Sequence, residues 1–154
     1  MEMTLRDVLH KAIAKEIEAQ RLYRDLSQMV HDEAAQDAFK TLVRQEKGHQ
    51  MMLEKYLSGA MKKGSLSHTH AVDFKIAEHT EYPELTSEME LKDVYLIAAN
   101  REVAAHEFYY QLAQIHPRGE TRKLLEDMAE QELKHKQKME FLYNEVAFPQ
   151  TDGG

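Results

Sequence analysis

One pattern occurs twice in this 154-residue chain, at a fixed offset. Glu16, Glu46 and His49 recur as Glu102, Glu132 and His135, each displaced by 86 residues. In each copy a single Glu precedes a Glu-x-x-His by 30 residues, and a tyrosine (Tyr23, Tyr109) follows the first Glu by seven. The surroundings repeat with it. Residues 3–56 can be laid on 89–142 without a gap, with Met, Leu, Asp and Val matching at the start. Ala12 matches Ala98, Leu26 matches Leu112, and Gln45-Glu46 matches Gln131-Glu132. Whatever the first half folds into, the second half must fold into as well.

Each half reads as a helix hairpin. Leu5, Val8, Leu9, Ala12, Ile13, Glu16, Ala19, Tyr23 and Leu26 keep the three-four spacing of one buried helical stripe. The spacing predicts a helix from Thr4 to Met29, with Thr4 and Asp7 as an N-terminal capping box. A second helix runs from Asp32 to Leu57, a third from Leu91 to Ile115 and a fourth from Arg118 to Val146, with Pro117 marking the last turn. Only six Gly and three Pro in the chain agree with helix. One hairpin cannot bury its stripe alone, so the two should pack as an all-α four-helix bundle of ferritin-like topology. This makes residues 1–147 one unit: hairpin 3–57, a long crossover at 58–90 and hairpin 91–146, with 148–154 an exposed tail. If the third helix runs parallel to the second, the crossover must return along a helix of ~39 Å. Within it, Ala71–His79 is a candidate short helix.

The spacing also sets heights in the bundle. His31 is the midpoint between Glu16 and Glu46, and Pro117 the midpoint between Glu102 and Glu132. Both midpoints fall in predicted turns, so each Glu pair sits level on its antiparallel hairpin, ~22 Å from the turn. Glu-x-x-His places both side chains on neighbouring directions of one helix face. All six lie on stripes that otherwise carry Leu, Ile, Ala and Tyr. Six ionisable groups in a core are costly unless paired or metallated. Two divalent ions would balance four carboxylates, and a carboxylate–imidazole set without thiols suits iron, with manganese or zinc as alternatives. Two Glu would bridge the ions, two would be terminal and each His would cap one ion. Tyr23 and Tyr109, two turns beyond their Glu, are assigned to donate hydrogen bonds to ligand carboxylates from across the bundle.

The rest of the composition narrows the function. The chain has no cysteine, which excludes disulfides, iron–sulfur clusters and thiolate metal sites. A formal charge of −7 with no basic run argues against nucleic acid. No apolar run is long enough to span a bilayer, and the charged N-terminus does not resemble a signal peptide, so a cytoplasmic location is expected.

At the two Glu, Glu-x-x-His and Tyr sets the sequence resembles the rubrerythrin-like branch of the ferritin-like superfamily. The resemblance covers both hairpins. It implies that Glu16, Glu46, His49, Glu102, Glu132 and His135 hold a di-iron centre that oxidises Fe(II), or reduces hydrogen peroxide or dioxygen. Two departures stand out. Rubrerythrins proper carry a Cys-ligated rubredoxin domain as electron relay. This chain has no Cys, so electrons would come from a separate donor protein. They also carry a further carboxylate one turn after the third-helix Glu, where this chain has Ala105. That weighs against the redox-linked iron movement of the family and against efficient peroxidase turnover.

Other residues have plainer readings. His68 and His70 read as a solvated loop pair. His10, His31, His79, His106 and His116 read as surface or turn residues, although His106, four residues after Glu102, could also lie beside the centre. Gly48 inside the first Glu-x-x-His would allow a close helix approach or a small opening, or simply lie on the surface. The nine Met read as core and interface filling, and apolar residues left over on the helices suggest a homodimer. The leading reading is a non-haem di-iron oxidoreductase. Its rivals are an iron-handling protein without turnover and a bundle that binds metal only for stability.

Overall fold

The computed structural model describes residues 4–59, 84–86 and 88–149. They form four helices: α1 (Leu5–Met29), α2 (Glu33–Leu57), α3 (Leu91–Gln114) and α4 (Glu120–Ala147). The short helix expected at Ala71–His79, the histidines 68, 70 and 79, and residues 150–154 lie outside the described residues. Among the described residues no helix is long and apolar enough to cross a membrane.

Local chemistry sets the ends. Thr4 closes α1 with a full capping box: its Oγ1 accepts from Asp7 N–H at 3.1 Å, and Asp7 Oδ2 accepts from Thr4 N–H at 3.1 Å. Asp32 caps α2 by accepting from Ala35 N–H at 2.9 Å. Gly59, at φ 79°, takes the left-handed conformation just past α2 and donates its N–H to Tyr56 O at 3.0 Å. The fourth helix was expected from Arg118. It begins two residues later, at Glu120, because Pro117 and Gly119 occupy the turn first.

The apolar stripes meet in two clusters. One gathers the end of α1, the start of α2, the start of α3 and the end of α4, with Tyr23, Leu26, Phe39, Leu42, Tyr95 and Met139 among its buried members. The other gathers the start of α1, the end of α2, the end of α3 and the start of α4, with Leu9, Leu53, Tyr109, Leu125 and Met128. Hence α2 and α3 run in the same direction, and α2 ends at the opposite end of the bundle from where α3 begins. The sequence needs a long connection for this reason. Each hairpin packs tightly within itself, and α1 packs against α3 across the bundle. Arg101 reinforces that crossing by donating to the Lys15 carbonyl at 3.3 Å.

The two clusters are not copies of each other. Tyr23 stacks on Phe39, with centroids 6.3 Å apart, and Phe39 packs on Tyr95 at 5.9 Å. The repeat-related residues at the other end are Tyr109, Leu125 and Leu9. An aromatic stack at one end is thus an aliphatic cluster with one aromatic at the other. The middle layer between the clusters is polar.

Candidate metal centre

The six residues singled out by the repeat all occupy that middle layer and are all buried: Glu46 at 0%, Glu102 and Glu132 at 1%, Glu16 at 2%, His49 at 6% and His135 at 7% exposure. They fall into two overlapping groups. Glu16, Glu46, His49 and Glu132 can bring one donor atom each within 4.8 Å of one another, and so can Glu46, Glu102, Glu132 and His135. Glu46 and Glu132 belong to both groups. Glu16 and His49 belong only to the first, and Glu102 and His135 only to the second. The arrangement is two four-donor pockets sharing an edge, each built by both hairpins.

The histidines turn Nδ1 inward. His49 Nδ1 lies 3.1 Å from Glu132, 3.3 Å from Glu46 and 3.6 Å from Glu16. His135 Nδ1 lies 2.7 Å from Glu46 of the opposite hairpin and 3.7 Å from both Glu102 and Glu132. The two rings stack, with centroids 5.5 Å apart and planes 16° from parallel. Both tyrosines reach a carboxylate of the opposite hairpin. Tyr109 Oη donates to Glu16 Oε1 at 2.6 Å, and Tyr23 Oη donates to Glu102 Oε1. Each therefore restrains a carboxylate that belongs to only one pocket, and does so from the other hairpin.

Burial and like charge dominate the electrostatics. Desolvation, with Glu102 and Glu16 nearby, pushes Glu46 well above the usual carboxylate range. Desolvation with Glu102, Glu46 and Glu16 does the same to Glu132. Burial alone would lower the histidines. The surrounding carboxylates outweigh it, so His49 is raised well above its ordinary value and His135 is raised. Glu16 goes the other way: burial is overcome by the close approach of Glu46 and His49 and by the hydroxyl of Tyr109. Both tyrosines are pushed far up by burial and by the adjacent carboxylates, so they stay protonated donors.

The donor set fits divalent metal. Glu16 Oε2, both oxygens of Glu46, Glu102 Oε2, Glu132 Oε1, His49 Nδ1 and His135 Nδ1 are buried yet make no hydrogen bond among the described residues. Orphaned buried acceptors of this density are expensive without a cation. Carboxylate oxygens and imidazole nitrogens, with no sulfur, are ligands for iron, manganese or zinc.

The repeat had more to give than the six. Gln20, Gln50 and Glu54 are related by the same offset to His106, Lys136 and Glu140. In the first half they form a chain: Gln20 Nε2 donates to Gln50 Oε1 at 2.8 Å, and Gln50 Nε2 donates to Glu54 Oε1 at 2.8 Å. In the second half Lys136 and Glu140, 1% and 0% exposed, form a buried pair at 3.6 Å. Helical spacing marks Lys136 and Glu140 as inward-facing, but their charge reads as surface. His106 does not join the centre. It is half-buried, its Nδ1 is 2.8 Å from the Ala129 carbonyl, and its ring stacks on Tyr110. Gly48 is exposed and a Cβ there would meet nothing within 4 Å, so no helix approaches it closely. Ala105 is buried one turn beyond Glu102 and offers no ligand. Met128 and Met139 fill the core, whereas Met51 is exposed.

The family model described as Rubrerythrin matches residues 7–145, and the chain belongs to that family. A hypothetical protein from Pyrococcus furiosus shares the fold, with a TM-score of 0.65 and 24% identity over 94% of this chain and 90% of that one. No curated protein matches.

Proposed function

We propose that the protein is a non-haem di-iron oxidoreductase, oxidising Fe(II) or reducing hydrogen peroxide or dioxygen at a carboxylate-bridged pair of metals. The observation that carries this reading is the shared edge: two donor groups that overlap in Glu46 and Glu132. A single-metal site has no use for such an overlap. In this reading Glu46 and Glu132 bridge, Glu16 and Glu102 are terminal, and His49 and His135 each complete one pocket. Bound iron would supply the electron storage that the side chains lack. The chain's own residues do the rest. The four carboxylates balance the charge of two divalent ions, Tyr23 and Tyr109 restrain the terminal pair, and the apolar clusters exclude bulk water on both sides.

The reading includes a separate electron donor protein, since the chain has no cysteine with which to build a relay. A homodimer is supported by exposed Tyr110, Ile115 and Phe141. A cytoplasmic location completes it. Metal analysis of purified protein, with absorption spectra before and after peroxide or air, tests the core of the proposal. Two irons per chain with an oxidant-dependent spectrum, and steady consumption of peroxide with a supplied reductant, are expected. Stoichiometric metal with no spectral response to either oxidant would reduce the protein to a metal binder.

A further inference from the structure

His135 is where the buried centre meets a cavity. A groove of about 590 Å³ lies between α2 and α4 and has His135 in its lining. It lies where α2 and α4 approach each other less closely than α1 and α3 do. Its wall is mostly apolar, with Ala38, Leu42, Met139 and Leu142. The amides of Gln45 and Gln131, which the repeat relates, also line it. Lys134, Lys138 and Asp37 line it too, so its charge has no single sign, and Lys138 is drawn over the Phe141 ring at 5.9 Å.

Hydrogen peroxide or dioxygen needs no groove of this size, and its apolar wall offers them little. We propose that the groove binds the hydrocarbon part of an organic hydroperoxide and delivers its O–O group to the centre past His135. The inference deepens the di-iron reading and rests on it for the chemistry. The O–O bond breaks, two electrons and two protons are taken up, and an alcohol and water leave. The electrons come from the separate donor protein. An apolar tail in a preformed cleft gains its affinity from burial against Leu42, Met139 and Leu142, while the polar head stays near the two amides.

Binding can be read without turnover. In metal-free protein labelled with ¹³C-methyl methionine, cumyl alcohol, the product of cumene hydroperoxide reduction, should shift the Met139 methyl resonance and leave that of Met128, in the far cluster, unchanged. A Met139→Leu variant assigns the signal. Thr41→Phe and Ala34→Phe, two substitutions on the groove lining, should each abolish the shift while metal content stays at the wild-type level. In loaded protein they should lower the kcat/KM ratio of cumene hydroperoxide to hydrogen peroxide by about tenfold, the effect of losing one or two apolar contacts. An unmoved Met139 signal, or a shift that both variants retain, overturns the proposal. If the shift is present but neither peroxide is consumed, the groove still binds its ligand and the oxidoreductase reading is what fails.

Discussion

Tyr109 on α3 donates its hydroxyl to Glu16 on α1 at 2.6 Å, a bond from one hairpin to the other. Tyr23 on α1 returns the arrangement to Glu102 on α3. Glu16 and Glu102, which belong to one donor group each, are thus oriented by the half of the chain that does not contain them. Outer partners of metal ligands typically carry 10–100-fold in affinity. Tyr109→Phe and Tyr23→Phe should each weaken metal binding by about that factor, measured by competition with a chelator of known affinity. Each should also cost the metal-free protein about 1–3 kcal/mol, because a buried carboxylate loses its donor. Wild-type affinity in both variants would show that the tyrosines only fill space.

The overlap of the two donor groups makes a prediction about stoichiometry. Glu46→Ala or Glu132→Ala removes a donor from both pockets and should bring metal content below one ion per chain. Glu16→Ala or Glu102→Ala damages one pocket and should leave about one. Elemental analysis after gel filtration decides between them. Equal losses from all four variants would contradict the division into shared and terminal carboxylates.

Protons and metal compete for the same atoms, so stability should depend on pH in opposite senses with and without metal. Glu46 and Glu132 are raised above 4.5, and His49 and His135 above 6.5. In the metal-free protein the folded state therefore holds more protons than the unfolded one, and stability falls as pH rises from 4.5 through and beyond 6.5. Glu16, lowered from 4.5, opposes this only at the acid end. Metal must displace those protons, so the gain in melting temperature on loading should grow with pH. Melting curves across this range, with and without a chelator, test both slopes. A metal-induced gain that shrinks as pH rises would contradict the proton competition.

Two substitutions away from the centre calibrate the packing. Phe39 is fully buried between Tyr23 and Tyr95, so Phe39→Ala should cost about 3–5 kcal/mol in denaturant unfolding. Gly48 sits mid-helix with open space where a Cβ would go, so Gly48→Ala should stabilise by about 0.5–1 kcal/mol. A loss on Gly48→Ala would mean that the position serves the adjacent Glu46 and His49 in some way its surroundings do not show.

Much of this arrangement is legible in the sequence. Periodicity defines four helices, and counting from His31 and Pro117 puts the two Glu of each hairpin level with one another. What counting cannot reach is how one hairpin docks on the other. That docking decides which carboxylates are shared, and it brings His135 to within 2.7 Å of Glu46, residues far apart in sequence. The burial of Lys136 and Glu140 was hidden for a different reason: their charge speaks for solvent while their spacing speaks for the core. His106 illustrates the converse. Its position four residues after Glu102 suggested the centre, but its ring turns to the α4 backbone, where Ala129 offers an acceptor.

The unlike ends of the bundle have a consequence for how such a chain can change. Two separate, identical hairpins meeting around one pair of metals would carry every substitution twice, once at each end. Joining both hairpins in one polypeptide removes that obligation. Tyr23, Phe39 and Tyr95 at one end and Tyr109, Leu125 and Leu9 at the other are the visible result. The fused chain can stiffen or loosen one end of the core while the opposite end stays as it was, and the repeated donor set between them need not be touched.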